Sequence, residues 1–250
     1  MDGSHYVGVG IAVDAGRLLI HATDRYGRTL LRHATSAPAT RVVDELRARG
    51  ITPAAIVVGV PGAADDEVPL AAMLREALGG VVPVGVDSAA GLAAAAEHAT
   101  GAHGDDLVFV FGGAEVGAGI VTGGRRVRGA DGYAGQIGHL QVGANYDPCA
   151  CGRTGCWTTK VGPAAAGAAQ TPGQRVTLGR WLGHGVAILE AVCDPGRIVL
   201  GGYFTALAPD VLPVARKALD RPDRLTVSVL DEYAAARGAA AASLALVPVA

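Results

Sequence analysis

Short apolar runs, broken repeatedly by Gly, Asp or Pro, set the pattern of this chain. Alternation predicts strands over Tyr6–Val13 and Arg17–Thr23 around an Asp14-Ala15-Gly16 turn. The turn Asp24-Arg25-Tyr26-Gly27 then leads into a third strand, Arg28–His33, making an antiparallel meander. Helical spacing of Val42, Val43 and Leu46 predicts a helix over Arg41–Arg49, capped by Thr40 and stopped at Gly50. Ile56–Val60 reads as a buried strand ended by Pro61-Gly62, Pro69–Leu78 as a helix, Val81–Val86 as a strand and Ser88–His98 as a small-residue helix. The pattern then starts again. Strands are expected over Leu107–Phe111, Gly117–Val121 and Arg125–Arg128, the last two around Thr122-Gly123-Gly124. They are followed by a cysteine-rich loop, helix Val176–Val192, strand Arg197–Leu200 before Gly201-Gly202, helix Pro209–Leu219, strand Leu225–Val229 and helix Tyr233–Leu246.

Strands first, then helix and strand in alternation, twice over, implies two α/β lobes. The break falls at Gly101-Ala102-His103-Gly104. It gives an N-terminal lobe over residues 1–105 and a C-terminal lobe carrying the cysteine loop over 106–250, with the last helix free to pack back on the N-terminal lobe. Half of the residues are hydrophobic (50%) and only 18% charged, which excludes a disordered chain. A net charge of −2 leaves no electrostatic footprint for nucleic acid or an anionic membrane. No run is long enough for a membrane helix, and the start has no basic, apolar leader, so a cytoplasmic protein with reduced thiols is expected.

The sharpest chemical signal is Cys149-Ala150-Cys151-Gly152-Arg153-Thr154-Gly155-Cys156, with His139 upstream. Zinc takes four soft or borderline donors in a tetrahedron, and three cysteines with one histidine make a closed, structural set. The expected ligands are therefore His139, Cys149, Cys151 and Cys156, holding one structural Zn2+. Cys193 stands apart and reads as a small buried hydrophobe.

The run Gly129-Ala130-Asp131-Gly132-Tyr133-Ala134-Gly135-Gln136-Ile137-Gly138-His139, followed by the cysteine cluster, resembles the signature of the ROK family of bacterial sugar kinases and sugar-responsive repressors. Val58–Gly62, Leu92–His98 with Glu97, and Asp194-Pro195 through Gly201-Gly202 resemble further family segments. The resemblance implies the α/β actin-like ATPase (ribonuclease H-like) fold, two lobes around a cleft, and a homodimer. Trp157 and Trp181 are candidate core or interface anchors, with the core favoured for Trp181.

Measured against that family, the kinase residues are missing. A phosphate loop of the form Asp-x-Gly-Gly-Thr corresponds here to Gly10-Ile11-Ala12-Val13-Asp14, so Gly10 and Ala12 belong to a degenerate loop. The second loop, Gly-Thr-Gly-x-Gly-x-Gly in the family, reads Gly113-Ala114-Glu115-Val116-Gly117-Ala118-Gly119, in which Gly113, Gly117 and Gly119 survive but Glu115 replaces a glycine. Glu115 would set a carboxylate beside polyphosphate in a poorly solvated cleft. The Asn-Asp pair that carries the catalytic base corresponds to Ser88 and Ala89, and a methyl group accepts no proton. Asp87 is the substitute if the register shifts. Gln136 and Thr158 stand where the family has carboxylates, and the sugar-side loop is cut to Ala63–Val68.

The expected ligand-cleft residues are thus Ser88, Ala89, Gln136, His139 and Thr158. ATP–Mg2+ is not expected to bind. Three readings follow. The first is a non-catalytic pseudokinase domain that senses a small molecule or binds a protein partner. The second is an enzyme repurposed through Asp14, Asp87, Glu115, His139, Asp147 or Lys160. The third is a degenerate sugar kinase using Asp87. Only five residues precede the first strand, and the Arg125, Arg126 and Arg128 run reads as a solvated face, so direct DNA binding is not expected.

Overall fold

The computed structural model describes residues 6–14, 16–38, 41–62, 69–144 and 146–247. They divide into two compact units: the residues through Ala96 joined by those from Tyr233 onward, and Glu97–Glu232.

In the first unit, β1 (Val7–Asp14), β2 (Arg17–Asp24) and β3 (Thr29–Thr35) form the meander. Then β4 (Pro53–Val60) and β5 (Val84–Ser88) add in parallel, giving the order β3-β2-β1-β4-β5. Helices α1 (Val42–Ala48) and α2 (Pro69–Ala77) bury Val42, Val43, Leu46, Ala71 and Leu74 in one core with Ile11, Ile20, Ile56 and Val58. On the other strand face, α3 (Ala89–His98) and the final helix α8 (Ala234–Leu244) meet at Val57, Leu92 and Ala239. The expected Thr40 cap and the Ala63–Val68 loop lie outside the described residues.

The second unit repeats this topology. A meander of β6 (Leu107–Gly112), β7 (Val116–Thr122) and β8 (Arg125–Val127) is extended in parallel by β9 (Arg197–Gly202) and β10 (Leu225–Val227), giving β10-β9-β6-β7-β8. Between β8 and β9 come α4 (Thr158–Val161), α5 (Pro163–Ala168) and the long α6 (Pro172–Cys193). After β9 comes α7 (Phe204–Ala215). The core joins Val108, Val110, Ile198 and Leu200 of the sheet to Leu182, Val186, Phe204 and Val211 of the helices. At the end of α3, Glu97 is 0% exposed. Its carboxylate accepts from Ser228 Oγ at 2.6 Å and Val229 N at 3.0 Å, and lies 2.9 Å from His103 Nε2. Among the described residues, no helix is long and apolar enough to cross a membrane.

Several elements depart from the sequence pattern for identifiable reasons. The strand expected at Val81–Val86 runs instead over Val84–Ser88. The Pro83 carbonyl accepts Ile56 N at 2.9 Å, and pairing with β4 then carries through Val60↔Ser88. Helix α6 starts at Pro172 rather than Val176 because Thr171 and Gln174 form a reciprocal capping box. Helix α7 runs through Pro209, which the pattern places at a helix start. Pro209 and Pro213 lie four apart on its exposed side, while Phe204, Ala208, Val211 and Ala215 stay buried.

Trp157 is 0% exposed and Trp181 only half-buried, the reverse of the expected ranking. The Trp157 indole lies over Gly185, and its Nε1 donates to the Trp181 carbonyl at 2.8 Å. That closeness needs a residue without a side chain on α6, which the local pattern around Trp157 does not encode.

Candidate metal centre and the kinase positions

Two small backbone ladders build the cysteine cluster. In the first, Cys149 N donates to Arg153 O at 2.8 Å, Gly155 N to Asp147 O at 2.9 Å, and Pro148 bridges Thr154, so the chain folds back through Gly152. In the second, Gln141 bridges Cys156 and Trp157 N donates to Leu140 O at 2.8 Å, which brings Cys156 beside the His139 turn. His139 closes a 3-10 turn, Ile137–His139, seated on β7. The seat depends on Gly135. Its φ is +95° and an added Cβ would lie 1.9 Å from Ala118 O, while Ala118 N donates to Gly135 O at 2.7 Å.

One donor atom from each of His139, Cys149, Cys151 and Cys156 falls within 4.8 Å of every other. Cys149 Sγ is 3.9 Å from His139 Nδ1, and Cys151 Sγ is 3.6 Å from Cys156 Sγ. Tetrahedral zinc requires about 3.8 Å between two thiolates and about 3.5 Å between sulfur and nitrogen, from its usual bond lengths. The four residues therefore fit such an ion and could bind a metal.

The backbone N–H and guanidinium of Arg153 donate to Cys151 and hold its thiol down, to about 6. Burial pushes the Cys156 thiol up to about 11. Arg153 was not singled out from sequence as part of the site. A lone cation inside a run of thiols is the signal that marks it.

The remaining sequence-selected residues scatter. Gly10 and Ala12 lie inside β1, not in a loop; Gly10 pairs with His21 and Val57. Its missing side chain is explained by α8, because an added Cβ would lie 2.0 Å from Ala236 O. Gly113 and Glu115 form the β6–β7 turn, and Gly117 stands in β7 opposite Phe111. Glu115 is exposed, so the poorly solvated setting expected for its carboxylate is corrected to a water-screened one.

Asp87 and Ser88 end β5, and Ala89 starts α3, 3% exposed. Asp87 is 9% exposed, and its Oδ1 accepts the Ser88 N–H at 2.8 Å. Ser88 Oγ accepts Gly91 N at 3.4 Å, as a helix cap does. Gln136 precedes the His139 turn, and Thr158 opens α4 right after Trp157. Asp14 ends β1 opposite Arg17. Asp147 and Lys160 neutralise each other at 2.7 Å and tie the cysteine turn to α4. A cavity of about 380 Å³ borders α4–α6, lined by Thr159, Lys160, Ala168, Gln174, Thr177 and Trp181 among others; none of the five expected ligand-cleft residues lines it.

The ROK family model matches residues 52–245. A glucokinase of Halalkalibacterium halodurans is 36% identical over 171 residues, covering 66% of this chain and 45% of that protein. A xylose repressor of Caldicellulosiruptor bescii is 32% identical over 117 residues, 40% of this chain and 29% of that protein. The matched stretches thus span less than half the length of these curated relatives. Among solved structures, a ROK family glucokinase from Streptomyces griseus in complex with glucose and AMPPNP superposes with a TM-score of 0.78 at 22% identity, covering 95% of this chain and 99% of that one. The ROK hexokinase from Thermus thermophilus gives 0.76 at 25% identity, covering 97% and 100%. The fold is the actin-like ATPase fold of these sugar kinases.

Proposed function

The chain belongs to the ROK family, and from that premise we propose that it is a zinc-stabilised pseudokinase, a non-catalytic domain that senses a small ligand or binds a protein partner in regulation. The family's similar members include both sugar kinases and xylose repressors, so loss of catalysis leaves a role the family already fills.

The observation that carries this reading is Ala89. It occupies the position of the family's base, is buried at 3% exposure, and presents a methyl group where a proton acceptor is required. Asp87, the substitute, is nine-tenths buried and bonded to the next backbone N–H, which occupies one of its acceptor oxygens. The β1 segment Gly10–Asp14 is committed to sheet pairing and to contact with α8, leaving no glycine-rich turn there to cradle phosphate. Mg2+ and backbone donors supply most of phosphoryl-transfer catalysis, so these changes together remove the activity.

His139 and the three Sγ atoms would hold Zn2+. A closed set of four protein donors leaves no position for water, so the ion would serve to pin the turn between Asp147 and Cys156, not to do chemistry. We place the protein in the cytoplasm and expect a homodimer. Trp157 is spent on the core, so of the two tryptophans the half-exposed Trp181 is the one left to anchor an interface.

Calorimetry with ATP–Mg2+ and a sugar panel tests the reading. No heat is expected at millimolar nucleotide, and no ATP-dependent phosphorylation of glucose, N-acetylglucosamine, N-acetylmannosamine or fructose. Turnover that disappears in Asp87→Asn would restore the kinase reading. Sedimentation showing only the 25.0 kDa chain at micromolar concentration would remove the homodimer.

A further inference from the structure

The three thiols of the cluster are not equivalent. Cys151 is exposed, Cys149 half-buried and Cys156 1% exposed. The exposed Cys151 sulfur and the buried Cys156 sulfur lie 3.6 Å apart. A disulfide needs about 2.05 Å, so the two sulfurs must approach by roughly 1.5 Å. The segment between them contains Gly152 and Gly155, and a Cβ added at Gly152 would meet nothing within 4 Å, so the turn has room to adjust.

We propose that Cys151 and Cys156 form a peroxide-responsive dithiol, whose oxidation to a disulfide discharges the metal held by the cluster. The inference rests on the metal reading above. Exposure makes Cys151 the sulfur that a peroxide reaches first. Its sulfur attacks the peroxide O–O bond. One oxygen stays as a sulfenic acid, and the other leaves as water, or as an alcohol from an organic peroxide. The Cys156 sulfur then attacks the Cys151 sulfur, the S–S bond forms and water departs. The two thiols lose two electrons and two protons, and the peroxide is reduced by the same two electrons.

His139 and Cys149 remain, two donors where zinc takes four. Trp157, held in the core by its bond to the Trp181 carbonyl, stays in place. The release therefore frees the turn between Asp147 and Gly155 without unfolding the unit.

The test uses the full zinc-loaded chain with Cys193→Ser, so that the cluster holds the only thiols. Elemental analysis comes first: a chain purified without zinc overturns the metal reading and this inference with it. Hydrogen peroxide is then added with a chromophoric chelator present. The expected result is release of one zinc per chain, in step with loss of two protons from the intact mass. Peptide mapping should show a Cys151–Cys156 disulfide, and dithiothreitol plus zinc should reverse it.

Because Cys151→Ser would itself remove a ligand, a second measurement uses limiting N-ethylmaleimide on the untreated protein. Cys151 is expected to label about tenfold ahead of Cys156, following access. Zinc retained through excess peroxide, a first disulfide that leaves Cys151 free, or equal labelling of the two cysteines would overturn the inference while leaving the metal reading intact.

Discussion

Replacing Glu97 with Ala should be among the most damaging single changes in the Glu97–Glu232 unit. The carboxylate is 0% exposed and receives Ser228 Oγ–H at 2.6 Å and Val229 N–H at 3.0 Å, with His103 Nε2 at 2.9 Å. A hydrogen bond to a charged group contributes about 1.5–3 kcal/mol, and donors stripped of their acceptor in a buried site keep their desolvation cost. Removing one member of such a buried charged set costs about 3–5 kcal/mol. For a chain of 250 residues, that is a fall of about 6–20 °C in Tm. Glu97→Gln keeps the volume and one acceptor oxygen, so its cost should be smaller, about 1–3 kcal/mol.

Urea unfolding followed by tryptophan fluorescence is the assay. The chain has only two tryptophans, and Trp157 and Trp181 both lie in this unit, so the signal reports it alone. A cycle with Ser228→Ala should give a coupling of about 1–2 kcal/mol, as bonded neighbours do. An Ala variant within about 1 kcal/mol of the parent, or additivity with Ser228→Ala, would refute the reasoning.

Chelation of the metal, or Cys156→Ser, should abolish zinc binding and lower Tm, with recovery on adding zinc only in the chelated parent; elemental analysis and calorimetry read both effects, since metal affinity is coupled to folding. Gly10→Ala would set a Cβ 2.0 Å from Ala236 O and 2.3 Å from Ala240 N, both backbone atoms, and should cost about 3 kcal/mol in denaturant unfolding; a neutral effect would contradict the packing of α8 on β1. The Asp24 carboxyl is held below its ordinary 3.8 by the Arg28 backbone N–H first, then the Tyr26 N–H and the Arg28 guanidinium. Its contribution is therefore present above that value and lost as pH falls through the depressed one, so Asp24→Ala should weaken amide-exchange protection at Tyr26 and Arg28 at pH 6, with the gap to the parent closing at pH values below 3.8.

Much of this protein is written locally. Strand alternation and helical spacing place nearly every strand and long helix within a few residues, because each face of an element is a run of neighbours. The four donors of the candidate metal centre are likewise legible, since Cys149, Cys151, Cys156 and His139 lie close in the chain and two short ladders suffice to gather them.

What local pattern could not decide was set by partners far along the chain. Gly10 reads from sequence as the remnant of a phosphate loop, but in the fold it is the point where the α8 backbone, more than two hundred residues on, meets β1. The ranking of Trp157 and Trp181 turns on Gly185, whose bare Cα gives the indole room. Pairing with β4 moves the end of β5 to Ser88, which buries Asp87 and makes Ala89 the first residue of α3. Glu97 tells nothing of its role until Ser228 and Val229, some 131 residues later, bring their donors to it. Periodicity encodes which side of an element is apolar; it does not encode which backbone will lie within van der Waals contact or which buried charge will find its donors. Those follow only when the sheets and helices close on one another.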